Sequence, residues 1–380
     1  MLLQLKDYFS VSRESISEDA EKKLKKFQDI QSDLEEAVKK TGKFDGLELE
    51  DVRYQQDLPT LMDFLNRSMI INLFSYLDAF IGDISKLVLK QNPNLGTKLG
   101  RNFTYSDLAK VNDVESLRRQ TLDNEIDRIR RGSYKEIFKE LGSMFNVALG
   151  DFKRWENFIE LSQRRNLLTH NDGVVSQQYL NEVSYEFTSK VCLNGKVVVD
   201  AGYVEDSIDL IFEIILLVSQ SIFRKNYVND LPKANEFLIQ TIFMILSMEN
   251  WQLAQKLSEY GCFLIDNFPN QLKSLEKKIL KINAAQAYKW AGDSAAADKC
   301  LNDFDWSSSN RNIQLAEKVL RDNFDKAYEL MEKIGKEGEL INEEAYYHWP
   351  LFREVKKEPK FKETLKSIYG KSKSEDKKTS

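Results

Sequence analysis

Hydrophobic positions recur with helical spacing along most of this chain, and the longest such segment is almost uniformly apolar. Residues 61–90 predict a helix that is buried on most of its faces. Further helices are predicted over residues 133–149, 152–170 and 204–227, and a charged amphipathic helix is expected over residues 17–41. The chain is therefore expected to be mostly α-helical.

One stretch departs from this periodicity. Residues 185–192 and 197–200 alternate as strands do, and they flank an Asn194-Gly195 pair, which is a frequent turn of two-residue hairpins. We therefore expect a small β-hairpin directly before the helix over residues 204–227.

An imperfect repeat follows Leu231-Pro232. Residues 251–254, 294–297 and 324–327 each end in alanine, and an apolar or cysteine side chain lies three positions further on, at Leu257, Cys300 and Leu330. The small alanine side chain in each segment allows paired helices to approach closely, which indicates an α-helical repeat domain. We divide the chain into an N-terminal helical segment (1–57), a helical bundle (58–230), helical repeats (231–370) and a disordered tail (371–380).

Composition narrows the functional classes. A hydrophobic content of 42% and a charged content of 30% are those of a globular protein, and the net charge of −5 argues against a protein that coats nucleic acid with its whole surface. The three cysteines are far apart and suggest neither disulfides nor a metal site. With no signal-peptide pattern and no membrane-spanning segment, a cytoplasmic protein without a cofactor or metal is expected.

The candidate chemistry lies in the sequence Arg165-Asn166-Leu-Leu-Thr-His170, at the predicted end of a helix. His170 is one of only two histidines, and it shares a helix face with Asn166. A permanent cation and a group that titrates near neutral pH are thus within reach of one phosphate. Asp78, in the apolar helix, needs a partner if it is buried, and Arg164 or Arg165 could supply it.

The string from Arg164 to His170, with the helix before it and the elements after it, resembles the Arg-Asn-x-x-x-His signature of HEPN-domain proteins over residues 58–230. The C-terminal repeats resemble tetratricopeptide-type extensions more weakly. The resemblance implies a helical bundle that forms a homodimer, in which two motifs meet in one metal-independent endoribonuclease site. It implies that Arg165 and His170 are catalytic and that Asn166, Arg164 and Asp78 support them, although the family acid is often glutamate.

The implied reaction agrees with the chemistry of RNA, whose 2′-hydroxyl is an internal nucleophile. Histidine can transfer the proton, arginine can stabilise charge on the phosphorane, and a second His170 from a dimer can complete the proton transfers. The expected function is a toxin or antiviral-defence effector that cuts RNA, regulated by a C-terminal repeat domain that binds a protein partner or trigger.

Other interpretations remain open at this stage. The chain could be a non-catalytic HEPN-like scaffold that binds nucleotide, or an adaptor built on its repeats. His170 and Arg165 could also be structural, as a helix-capping histidine and an arginine at the edge of the core. Arg128, Arg130 and Arg131 could guide RNA, but the acidic residues interleaved with them favour a solvated face.

Overall fold

The computed structural model describes residues 49–98, 113–150, 152–336, 338 and 341–370, and within these ranges it contains fifteen α-helices and no β-strand. The mostly α-helical class predicted from the sequence is therefore confirmed. The amphipathic helix expected over residues 17–41 and the tail at 371–380 lie outside the described residues. The chain divides into two compact units, with the division after Ile222.

The first unit contains helices α1 to α6 and most of α7. Their bounds are Leu49–Gln91 (α1), Val114–Ile129 (α2), Tyr134–Phe145 (α3), Trp155–His170 (α4), Gln177–Glu182 (α5), Tyr185–Thr188 (α6) and Ala201–Asn226 (α7). The predicted helix over residues 61–90 is part of α1, which is continuous across the domain boundary placed at residue 58.

Aromatic side chains join α1, α3 and α4 in the core of this unit. The Phe158 ring of α4 lies with its centroid 5.2 Å from that of Phe138 on α3 and 6.3 Å from that of Phe74 on α1. All three side chains are almost completely buried. Aromatic pairs at such distances add to the stabilisation that burial already gives, so this cluster fixes α4 against both neighbours.

The predicted β-hairpin over residues 185–200 is wrong. Residues Tyr185–Thr188 form helix α6 instead, because the carbonyl of Ser184 accepts hydrogen bonds from the N–H groups of Phe187 and Thr188. Asn194 does adopt a left-handed turn conformation, with φ of 65°. However, the strand-like residues after it do not pair with residues 185–192.

Residues 195–197 pair instead with the segment directly after α4. The Val197 N–H donates to the Gly173 carbonyl over 2.9 Å, the Val175 N–H donates to the Gly195 carbonyl over 2.8 Å, and Val174 and Lys196 form an antiparallel bridge. This pairing buries Val197 and Val199 and leaves Val198 exposed. The alternating pattern thus marks an extended segment. This segment pairs with residues 173–175, which are further away in the sequence than the predicted partner at residues 185–192.

The second unit continues with paired helices. Their bounds are Leu231–Ser247 (α8), Trp251–Asn267 (α9), Ser274–Trp290 (α10), Ser294–Asn302 (α11), Arg311–Leu320 (α12), Phe324–Ile334 (α13), Glu343–His348 (α14) and Pro359–Tyr369 (α15). Each of the three predicted repeat segments begins the second helix of a pair, α9, α11 or α13. Their alanines, Ala254, Ala297 and Ala327, are buried.

The same turn joins the helices of these three pairs. A residue with positive φ (Glu249, Gly292 or Asp322) precedes an Asn or Asp, whose side chain accepts a hydrogen bond from the backbone N–H three residues on. Such N-caps satisfy backbone donors that the first helical turn leaves without a partner. The helical repeat is therefore regular in its turns, although its spacing along the sequence is uneven.

Loss of one such cap tests this description. Asp293→Ala removes the acceptor that lies 2.9 Å from the Ala296 nitrogen, and we expect it to lower the free energy of unfolding by about 1 kcal/mol. Asp298→Ala, an exposed position within the same helix, is the matched control. Urea unfolding followed by circular dichroism measures both variants, and equal stability of the two would contradict a capping role for Asp293.

Candidate functional site

The motif on α4 opens onto a polar cavity of about 620 Å³ in the first unit. Arg165, Asn166 and His170 all line it, and so does Asp78 of α1. The turn between α2 and α3 contributes a further wall. The structure therefore brings together four of the five site residues predicted from the sequence, all except Arg164.

Arg165 is held at the edge of this cavity by three neighbours. One terminal nitrogen, Nη1, donates to Asn166 Oδ1 over 3.0 Å, and Nη2 lies 3.9 Å from Asp78 Oδ2. The guanidinium carbon also lies 5.3 Å from the centroid of the Phe74 ring, a cation–π distance. Because the Asp78 contact is longer than a hydrogen bond and a quarter of the side chain is exposed, the guanidinium can still bind an anion.

Asp78 is positioned by a buried tyrosine. The Tyr134 hydroxyl donates to Asp78 Oδ1 over 2.7 Å. Burial, and then the charge of Asp78, raise the pKa of the Tyr134 phenol well above its ordinary value, so Tyr134 remains a donor at neutral pH. Asp78 thus accepts from Tyr134 on one side and faces Arg165 on the other, which suits a positioning residue.

Arg164 points away from the cavity. Its Nε donates to Glu160 Oε1 over 2.7 Å, its Nη1 donates to the Val198 carbonyl over 2.6 Å, and its guanidinium stacks on the Tyr203 ring. Of the two arginines that could have paired with Asp78, the structure therefore selects Arg165. Arg164 instead fixes α4 to the segment that precedes α7.

Glu160 is the residue that the sequence analysis missed in this region. Its buried carboxylate accepts hydrogen bonds from Arg164, from the Tyr179 hydroxyl over 2.6 Å and from the Tyr203 hydroxyl over 2.7 Å. Burial, and then the Glu160 charge, raise the pKa of both phenols. The available signal was a glutamate four residues before an arginine, with apolar residues on both sides of it in the sequence, Ile159 and Leu161.

His170 lies at the exposed end of α4, where the helix stops as predicted. The N–H groups of Asn171 and Gly173 both donate to the Leu167 carbonyl, and Gly173 has φ of 74°. The imidazole of His170 makes no hydrogen bond or ion pair with any residue that the structure describes. Nothing in that part of the chain therefore gives it a capping role, and its imidazole remains accessible at the cavity.

The loop after His170 is fixed by two cations. Asp172 accepts from Arg67 Nη1 over 3.0 Å and from Lys196 Nζ over 2.6 Å. The hydrogen bond from Lys196 is the largest cause of the lowered pKa of the Asp172 carboxyl. These contacts connect the end of α4 both to α1 and to the bridged segment that contains Lys196.

Two arginines that the sequence analysis placed on a solvated face also line the cavity. Arg130 and Arg131 lie in the turn between α2 and α3, whereas Arg128 pairs with Glu125 and Glu140 outside the cavity. The sequence signal that could have distinguished Arg130 and Arg131 from Arg128 is their place in the chain, because both follow Ile129, the last buried residue of α2.

The residues that the structure describes contain neither a metal-binding cluster nor a membrane-spanning helix. Across these ranges, no group of three or more His, Cys, Asp or Glu side chains is arranged to hold a metal ion. None of the helices in the same ranges is both long enough and apolar enough to cross a bilayer.

Comparison of the chain with family models, with curated proteins and with solved structures finds no match. Roles for the residues of the cavity therefore rest on their geometry and on the motif.

Proposed function

We propose that this protein is a metal-independent endoribonuclease of the HEPN type. The observation that carries the proposal is the shared cavity of Arg165 and His170, in which Arg165 is held by Asp78 and Asn166 while the imidazole is exposed. An oriented cation and an accessible imidazole in one cavity can supply charge stabilisation and proton transfer, the two contributions that attack by a 2′-hydroxyl on a phosphodiester uses.

In the proposed reaction, His170 accepts the proton of the 2′-hydroxyl as that oxygen attacks the adjacent phosphorus. Arg165 donates hydrogen bonds to the non-bridging oxygens, where negative charge develops on the phosphorane. The bond to the 5′-oxygen then breaks, and this oxygen takes up a proton. A second His170, from the other protomer of a homodimer, supplies that proton, and Asn166 and Asp78 position Arg165.

The second unit has a regulatory role in this proposal. Its repeated helix pairs are compatible with a tetratricopeptide-like domain, and such arrays bind peptides and proteins. Phe237 and Met244 of α8, and Met248 directly after it, are exposed large apolar side chains that offer a contact surface for a partner. We propose that a protein partner or trigger binds these repeats and controls a cytoplasmic toxin or antiviral effector.

The products of cleavage test the proposed chemistry. The purified full-length protein, incubated with labelled RNA in EDTA, should give 2′,3′-cyclic phosphate and 5′-hydroxyl ends, because the 2′-oxygen is the nucleophile and no metal takes part. A DNA strand of the same sequence should remain intact, since it lacks the 2′-hydroxyl. Product ends are read by mass spectrometry.

Three results would count against this reaction. They are robust cleavage of DNA, complete loss of activity in EDTA, and 3′-hydroxyl products. Binding of RNA without any cleavage would instead support the alternative of a non-catalytic HEPN-like scaffold, whose arginine and histidine hold a nucleotide. Absence of both binding and cleavage would leave the adaptor built on the helical repeats.

A further inference from the structure

We propose that Arg130 and Arg131 form a second phosphate subsite in the same cavity, which binds a backbone phosphate of single-stranded RNA next to the scissile one. The identity of the scissile phosphate rests on the proposed function. The subsite itself is a binding site, and it can be tested without cleavage.

The turn that presents these arginines is well ordered by its own hydrogen bonds. The Arg130 N–H donates to the Ile126 carbonyl over 2.9 Å, and the Gly132 N–H donates to the Ile129 carbonyl over 3.0 Å. Ser133 then caps α3 in a reciprocal capping box with Glu136. The backbone of both arginines is therefore fixed, and their side chains extend from a defined position.

The neighbouring Arg128 is contacted by more carboxylates than either member of this pair. Arg128 contacts both Glu125 and Glu140, whereas Arg130 has one carboxylate, Asp127, at 3.8 Å. Arg131 forms no ion pair with any residue that the structure describes. Of the interleaved acidic residues, Glu125 thus contacts Arg128 and Asp127 contacts Arg130, which leaves Arg131 available for an anion.

The charge of the cavity lining is strongly positive. Three arginines and His170 line it, and Asp78, which contacts Tyr134 and Arg165, is the one carboxylate among the described residues of the lining. An excess of oriented guanidinium groups over carboxylates favours a ligand with more than one negative charge. A polynucleotide backbone, with one phosphate for each nucleotide, has this property.

The buried Tyr134 connects the Arg130–Arg131 pair to Arg165. Tyr134 follows Arg131 by three residues, and its hydroxyl contacts Asp78, which in turn faces Arg165. The arginine pair and the motif therefore lie on two walls of one cavity. Gln163 and Gln178 also line it and can contact base edges, which only an unpaired nucleotide could present inside a concave site.

Binding of an RNA that cannot be cleaved tests this subsite directly. A fluorescently labelled 2′-O-methyl single strand is titrated with the full-length protein at several salt concentrations. The double substitution Arg130→Gln/Arg131→Gln should weaken binding about 10-fold and reduce the salt-dependence slope by about 0.7, the change for one lost phosphate contact on a single strand. Arg131→Gln alone should give about half of that change in slope.

The matched control is Arg118→Gln, which removes the same charge from an exposed position of α2 outside the cavity. Affinity and salt slope equal to those of the control, absence of any binding by the wild type, or equally tight binding of duplex RNA would each overturn the subsite. If the wild type binds in the expected way but does not cut natural RNA, the subsite stands and the ribonuclease proposal fails.

Cleavage kinetics can show the converse case, in which the subsite proposal fails and the ribonuclease proposal stands. If the protein cuts RNA, the double variant should raise KM about 10-fold and leave kcat almost unchanged, because these residues bind a phosphate that does not react. Cleavage with an unchanged KM would overturn the subsite and leave the ribonuclease proposal in place.

Discussion

Replacement of His170 by alanine is expected to reduce the rate of RNA cleavage by about 10²–10⁴-fold, the usual contribution of a positioned acid or base. The same change should alter the free energy of unfolding by no more than about 0.5 kcal/mol, because the side chain is exposed and has no hydrogen-bonding partner among the described residues. Single-turnover cleavage of labelled RNA and urea unfolding measure the two quantities on the same preparation.

The chain provides a matched control for this experiment. His348 is its other histidine, and like His170 it is the last residue of a helix and exposed. His348→Ala should therefore leave both activity and stability near the wild-type values. A contaminating ribonuclease would give equal activity in all three proteins, and that result would remove the evidence for catalysis by this chain.

Substitution of Arg165 complements the histidine variant. Arg165→Lys retains the positive charge near Asp78 but loses the planar fork that can bind two phosphate oxygens at once. Residual activity between those of wild type and His170→Ala would indicate that the geometry of the guanidinium contributes beyond its charge. A purely structural role for both residues predicts a different pattern, in which activity falls only in proportion to the loss of folded protein.

The helices were predictable because their signals are local. The apolar positions of α1 and the Asn171-Asp172-Gly173 stop after α4 depend on residues only a few positions apart, so the sequence was sufficient for both. The β-hairpin failed for the opposite reason. Alternation at residues 197–199 identifies an extended segment but does not say which other segment pairs with it, and the partner lies at residues 173–175.

The candidate site was predictable only in part, for a related reason. An acid in an apolar helix needs a partner, which predicted that Asp78 would face an arginine, but the choice between Arg164 and Arg165 depends on the rotation of α4. That rotation is fixed by contacts distant in the sequence, in particular those of Glu160 with Tyr179 and Tyr203. The different surroundings of Arg128 and Arg131 likewise depend on Glu140, which belongs to another helix and contacts Arg128.

Glu160→Ala is accordingly expected to be among the most destabilising substitutions in the first unit. It would leave the guanidinium of Arg164 largely buried without its carboxylate and would remove the acceptor of two tyrosine hydroxyls. Removing one member of a buried ion pair typically lowers the free energy of unfolding by about 3–5 kcal/mol. Urea unfolding followed by tryptophan fluorescence measures the loss, since Trp155 begins the same helix.

Glu156→Ala is the control for this change, because Glu156 lies one turn earlier on α4 and is exposed, so its removal should cost no more than about 0.5 kcal/mol. Glu160→Gln should fall between the two, since the amide can retain hydrogen bonds while the charge is lost. If Glu160→Ala were as stable as Glu156→Ala, then Glu160 could not be what sets the rotation of α4. In that case the placement of Arg165 and His170 in the cavity would have to depend on other contacts of α4, such as the aromatic contacts of Phe158.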